Sequence, residues 1–245
     1  MTLNIIILFV SSLLAGAAVF LVPDLNMKRF KVILSFSGAY LFSITVIHIL
    51  PELFHEVQNV KLVGIYVLAG FFLQMILEYF SSGVEHGHIH HHDHENSQLP
   101  YSMFLALCLH SLLEGTMLVH PFHNHNHDGS QTLLYGLILH KIPEAFALMS
   151  VLLFSIQKKY IALILLLVYS AVSPLGLALS NIIYKSNVVS EDVFQFLFAL
   201  VAGNFLYIST TIFFESSPNH KFKANRLAVF ILGAFIAILA EYILN

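Results

Sequence analysis

A chain of 245 residues that is 58% hydrophobic, only 10% charged and of mean hydropathy +0.80 is not a soluble globular domain, which usually carries about 25% charged residues. The formal net charge of -3 speaks against nucleic acid as a partner, and a single cysteine, Cys108 in an apolar stretch, excludes a disulfide framework. Composition indicates an integral membrane protein with one anomaly, 15 His against 11 Lys and Arg together.

A bilayer-spanning helix takes about 20 mostly apolar residues. Eight such runs are predicted, over residues 3–22, 32–50, 61–80, 100–120, 131–155, 160–184, 193–213 and 225–244. They are too long for strands and lack the alternation of a β-barrel. The expected fold class is therefore an all-α membrane protein, an eight-transmembrane-helix bundle with short connections, read as a single transmembrane domain over 1–245.

The first segment opens "MTLNIII", with no basic stretch and an apolar run longer than a signal-peptide core, so it reads as a retained helix. The second carries His48 and, at its far end, Glu52, His55 and Glu56. The third carries Gln74 and Glu78 and leads into a loop over 83–99 with His86, His88, His90, His91, His92, Asp93 and His94. The fourth reads "LCLHSLLEGTML" and the fifth "LILHKIPEAF", separated by the loop 121–130, whose stretch "HPFHNHNHDG" holds His120, His123, His125, His127 and Asp128. The sixth, seventh and eighth contribute Asn181, Asn204 and Glu241 as polar ties, with Gly38, Gly176, Gly203 and Gly233 suited to close helix packing.

Orientation follows from the basic residues. Lys28, Arg29, Lys31, Lys158, Lys159, Lys221, Lys223 and Arg226 all fall in loops on one side if the span count is eight. Lys61 and Lys185 lie on the other side, and Lys141 lies inside a span. The positive-inside rule makes the basic side cytoplasmic. Both termini then face outward, the 83–99 loop is cytoplasmic and the 121–130 loop external.

Two consecutive segments share one costly pattern. His110 and Glu114 stand four apart, as do His140 and Glu144, so each pair lies one turn apart on one helical face. A charged group at a helix centre costs about 2.5–3.5 kcal/mol on insertion scales. Consecutive helices joined by a short loop are expected to pack antiparallel, which would converge two imidazoles and two carboxylates at membrane depth. That donor set suits Zn²⁺, Fe²⁺ or Mn²⁺. Pro143 deprives the Leu139 carbonyl of its helical partner and is expected to bend its helix beside a cavity, and Gly115 permits a close neighbour. The plainer alternative makes these groups structural, with Lys141 pairing with Glu114 or Glu144 as a buried salt bridge.

"HSLLEG" followed by "HKIPEA" resembles the paired motifs of the ZIP (Zrt/Irt-like) metal transporters. "GAYLFSITVIHILPELFHE" is similar to the family's second helix, "AGNFLYIS" to its seventh, and "EHGHIHHHDHE" to its His-rich cytoplasmic loop. The resemblance implies transport of divalent metal, zinc above all, toward the cytoplasm, with no organic cofactor and a homodimeric assembly in the bilayer. It implies a main site at His110, Glu114, His140 and Glu144. A second family site would use acidic or amide groups where this chain has Ser111, Lys141 and Ser173 (in "SAVSPLG"). One core metal is therefore expected, with the Lys141 amine standing where a second ion would sit.

On this reading His48, Glu52 and His55 line the way in, and the loop histidines trap or sense the ion; the alternative for those loops is a polar connector that happens to use His. Ligand histidines must be neutral to bind metal, so a protonated site releases it. No Gly-rich phosphate loop of the Walker type is present. The rival is an intramembrane zinc-dependent hydrolase, which would use similar ligands to activate water; its common His-Glu-x-x-His helix is missing and no further general base stands out. The compact chain favours a bacterial inner membrane as the cell membrane it occupies.

Overall fold

The computed structural model describes residues 1–21, 27–55, 59–81, 83, 99–119, 130–156, 158–186, 189–215 and 224–244. Among these residues every regular element is helical. Helix α1 covers Thr2–Ala17 and tightens into a 3₁₀ turn, Ala18–Phe20. Helix α2 runs from Met27–Ile44 through a π turn, Thr45–Ile49, into Leu50–His55. Then come α3 (Val60–Ser81), α4 (Leu99–Thr116), α5 (Ser130–Ser155), α6 (Lys159–Ser186), α7 (Glu191–Glu215) and α8 (Ala224–Leu244).

The second helix is longer than expected, ending at His55 rather than near residue 50. Pro51 has no N–H to give to a carbonyl one turn back. The chain absorbs this with a wider turn in which the Leu50 N–H bonds the Thr45 carbonyl five residues earlier, and Pro51 falls in the first turn of the continuation. His48 sits inside that π turn. In α5, by contrast, the helix runs through Pro143 without interruption.

Among the described residues, seven helices are long and apolar enough to cross a bilayer: Thr2–Phe20, Arg29–His55, Val60–Ser81, Gln131–Ser155, Lys159–Ser186, Asp192–Phe214 and Ala224–Ile243. Helix α4 is 18 residues, a rod of about 27 Å at 1.5 Å per residue. The outer surface suits hydrocarbon: Leu14, Ile65, Leu68, Phe72, Ile164, Leu179, Ile231 and Phe235 are all exposed. Polarity is concentrated inside, where His110, Glu114, His140, Lys141 and Glu144 have no exposed surface.

Two groups of helices make up the bundle. In one, α3 lies along α7, and α2 lies along α8 and α7; in the other, α4 lies along α6, and α1 lies along α5 and α6. Contacts of α2 with α5 and of α3 with α4 join them. Several hydroxyls at membrane depth are satisfied by carbonyls of their own helix: Ser43 donates to the Ala39 carbonyl at 2.8 Å, Thr45 to Leu41 at 2.8 Å and Ser209 to Phe205 at 2.6 Å.

Glycines set the closest crossings. A Cβ on Gly115 would collide with the Ser173 carbonyl, and one on Gly176 with the Leu112 carbonyl, so α4 and α6 touch backbone to backbone. Gly70 and Gly203 do the same for α3 and α7, against Leu200 and Val67. There the Asn204 amide, turned to suit its neighbours, donates to the Gly70 carbonyl at 2.6 Å and the Leu200 carbonyl at 3.2 Å. Gly70 lacked any sequence signal apart from its size.

Candidate metal centre

Helices α4 and α5 bring the repeated motifs together, but not by packing along each other. Their backbones meet only slightly, α4 resting on α6 and α5 on α1 and α2. This corrects the expectation of an antiparallel pair of neighbours. The space between the two helices is occupied instead by the long polar side chains they both send inward.

One ligand atom from each of His110, Glu114, His140 and Glu144 falls within 4.8 Å of the others, and all four residues are fully buried. Tetrahedral zinc with bonds near 2.0–2.1 Å needs ligand atoms about 3.4 Å apart. The cluster is thus a side-chain adjustment of about 1 Å away from holding an ion. His110 Nε2 lies 3.0 Å from Glu114 Oε1, and His140 Nε2 lies 3.8 Å from the same oxygen. The two imidazole rings stand edge to face, 5.8 Å between centroids.

Glu114 is the hub, and its two oxygens divide the work. Oε1 faces the histidines, while Oε2 forms an ion pair with Lys141 Nζ. Lys141 also pairs with Glu144 Oε2 at 2.8 Å and donates to the Tyr169 hydroxyl at 3.3 Å. The lysine therefore bridges both carboxylates rather than choosing one. Both ring nitrogens of His110 and of His140, Glu114 Oε1 and Glu144 Oε1 make no hydrogen bond within the protein. Buried polar atoms without partners cost about 1–3 kcal/mol each. One such atom from each of the four residues, gathered within 4.8 Å, gives the chemistry of a nitrogen and oxygen ligand set for a divalent ion.

Ser111 and Ser173 are also buried, and neither hydroxyl has a hydrogen-bond partner. They belong to α4 and α6, next to the crossing made by Gly115 and Gly176. In these places the sequence resemblance would have put acidic or amide ligands; a hydroxyl stands there instead.

A family profile described as ZIP Zinc transporter matches residues 100–241, more than half the chain. The chain belongs to the ZIP family. A curated protein called zntD, from Dictyostelium discoideum, is 33% identical over 150 residues, a match that takes in 56% of this chain. The chain spans about a fifth of that relative, 21% of its length. Membership in ZIP, together with the apolar helices, makes this a multi-pass membrane protein.

The other residues singled out in this ZIP chain fall in two places. His48 in the π turn of α2 bonds Glu241 of α8 through Nδ1 at 2.8 Å and faces Glu52 through Nε2 at 3.6 Å. Its two nitrogens are thus turned to two different carboxylates, a separate constellation from the buried four. Sequence reasoning ranked Glu241 only as a polar tie near a span end. Its link to His48 joins positions 193 residues apart, which no local pattern reveals. Exposed His55 ends α2. The loop residues Glu56, His86, His88, His90, His91, His92, Asp93, His94, His120, His123, His125, His127 and Asp128 lie outside the described residues.

Tyr169 is the residue that sequence reading missed. It is buried, its hydroxyl accepts from Lys141, and the ammonium lies 5.4 Å from its ring centroid. The available signal was its position four residues before Ser173 on one face of α6.

Proposed function

We propose that this chain moves divalent metal ions, zinc foremost, through a bilayer toward the cytoplasm. The observation that carries this reading is the fully buried set His110, Glu114, His140 and Glu144, gathered within 4.8 Å inside a membrane bundle of the ZIP family. The zinc transporter description of the family and of its profile supports zinc as the cargo over iron or manganese. All eight helices span in this reading, with both termini outside and the basic loops in the cytoplasm, in a cell membrane of bacterial type, as a homodimer. His48, Glu52 and Glu241 stand on the outer half of the route, ahead of the buried four. The loop histidines take part as lower-affinity sites at either mouth.

The core site holds one ion at a time. Two carboxylates and the Lys141 ammonium leave a single negative charge, which one divalent ion turns into a single positive charge. A second ion would concentrate three positive charges in a medium where Coulomb terms are many times stronger than in water. Lys141 holds Glu114 Oε2 and Glu144 Oε2 and leaves Glu114 Oε1 with the histidines, so ion and ammonium share the carboxylates between them. The hydrolase alternative draws no support from a family of transporters.

Zinc uptake by proteoliposomes of the purified chain tests the reading. Wild type takes up zinc above the empty-vesicle background, and His140→Ala lowers the rate at least about tenfold, as loss of a metal-site residue does. Equal rates in wild type, variant and empty vesicles refute transport. Metal content after equilibrium dialysis addresses the lysine: one zinc per chain in the core of wild type, and two in Lys141→Asp, where an added carboxylate replaces the ammonium. Two core ions in wild type refute the single-ion site.

A further inference from the structure

Lys141 has three N–H donors, and three acceptors surround it: Glu114 Oε2, Glu144 Oε2 and the Tyr169 hydroxyl. The first two belong to residues of the metal cluster; the third does not. Tyr169 lies on α6, a different helix from either pair, in a packed environment of Leu107, Leu148, Leu152 and Leu166. A phenol at that depth needs polar partners, and it has the Lys141 ammonium, from which it accepts, and the Glu144 carboxylate beside it. The two carboxylate oxygens that Lys141 uses are both Oε2 atoms, while Glu114 Oε1 faces the histidines.

We propose that Tyr169 is a positioning residue for Lys141: it anchors the ammonium on the side of the carboxylates away from the histidines, so that the lysine screens the acids without competing for the arriving ion. The reason is one of remaining partners. When a divalent ion draws on Glu114 and Glu144, the ammonium loses much of its attraction to them, and the Tyr169 hydroxyl and ring face are what continue to hold it. Without the hydroxyl the ammonium has only the two acids, and it contests them with the metal. This rests on the metal reading of the buried four.

The test is a double-mutant cycle on the full chain: wild type, Tyr169→Phe, Lys141→Met and the double variant, with zinc binding measured by calorimetry and zinc uptake in proteoliposomes. Tyr169→Phe raises the zinc Kd about three- to tenfold, the range expected when one hydrogen bond to a charged group is lost and part of the loss appears as competition. The uptake KM rises with it, while the maximal rate stays within about twofold. In the Lys141→Met background, Tyr169→Phe changes the Kd by less than about twofold. An equal Kd shift in both backgrounds overturns the proposal, since the phenol would then act on structure and not through the lysine; so does an unchanged Kd in the single variant. If Lys141→Met does not fold, Tyr169→Phe alone decides, and a fall in maximal rate at unchanged KM overturns the proposal. Wild type that neither binds nor takes up zinc refutes the transport reading and this one with it; wild type that does both, with no coupling between Tyr169 and Lys141, refutes this one alone.

Discussion

Glu114→Gln abolishes zinc uptake, while Glu144→Gln leaves a measurable fraction of it. By sequence the two acids are equivalent, each four residues after a histidine. In the fold they are not. Glu114 approaches His110 at 3.0 Å and His140 at 3.8 Å, and it holds Lys141 as well. Glu144 has an ion pair with Lys141 at 2.8 Å, and its Oε1 makes no hydrogen bond within the protein. Replacing the carboxylate by its isosteric amide at 114 thus removes the negative charge nearest both imidazoles and half the compensation of a buried ammonium. Breaking a buried pair by neutralising one partner costs about 3–5 kcal/mol of stability, here reduced because the other acid remains. Zinc affinity falls about 100-fold or more, at the upper end of the 10–100-fold known for groups that merely support a ligand. Calorimetry and uptake on the two amide variants side by side check this. An equal or greater loss in Glu144→Gln removes the hub role assigned to Glu114.

Gly115→Ala unfolds or severely weakens the protein, and Gly64→Ala does not. A methyl group on Gly115 would overlap the Ser173 carbonyl and come within 3.1 Å of the Leu177 nitrogen, and backbone atoms cannot rotate aside. Gly176 presents the same problem from the facing helix, against Leu112 and the Gly115 Cα at 3.3 Å. Helices α4 and α6 must separate to admit the methyl, and α4 carries His110 and Glu114 with it. Overpacking of this kind costs about 3 kcal/mol or more, and at about 2–4 °C per kcal/mol for a chain of this size the melting midpoint falls by roughly 6–12 °C. Gly64 has nothing within 4 Å of its added Cβ, so alanine there is neutral or slightly stabilising through helix propensity. Thermal unfolding in detergent, followed by circular dichroism, distinguishes the two. Equal midpoints for Gly115→Ala and Gly64→Ala rule out the backbone contact as the element that sets the distance between α4 and α6.

The helices themselves and the donor set were legible in the chain. Lipid requires long apolar runs with internally satisfied backbones, and the runs beginning near residues 3, 61, 131, 160, 193 and 225 reappear as helices with ends shifted by a few residues. The run expected to end near residue 50 continues to His55, because a π turn carries the helix into Pro51 by a hydrogen bond spanning five residues that no propensity describes. His110, Glu114, His140, Lys141 and Glu144 stood out because polar groups at helix centres are costly enough in hydrocarbon to require a common partner. Their spacing put each pair on one face, which is a property of the helix alone.

The partners of those faces were decided by tertiary structure. That α4 rests on α6, that Glu241 reaches His48, and that Tyr169 takes the third proton of Lys141 are all relations between helices. In a soluble protein the apolar stripe tells which side of a helix points inward. In this chain both the lipid face and the packed face are apolar, as exposed Leu68 and buried Leu77 on α3 illustrate, so hydropathy no longer distinguishes them. Small residues and inward polar groups then select the pairing by shape and by hydrogen bonding, and those terms exist only once the helices have met.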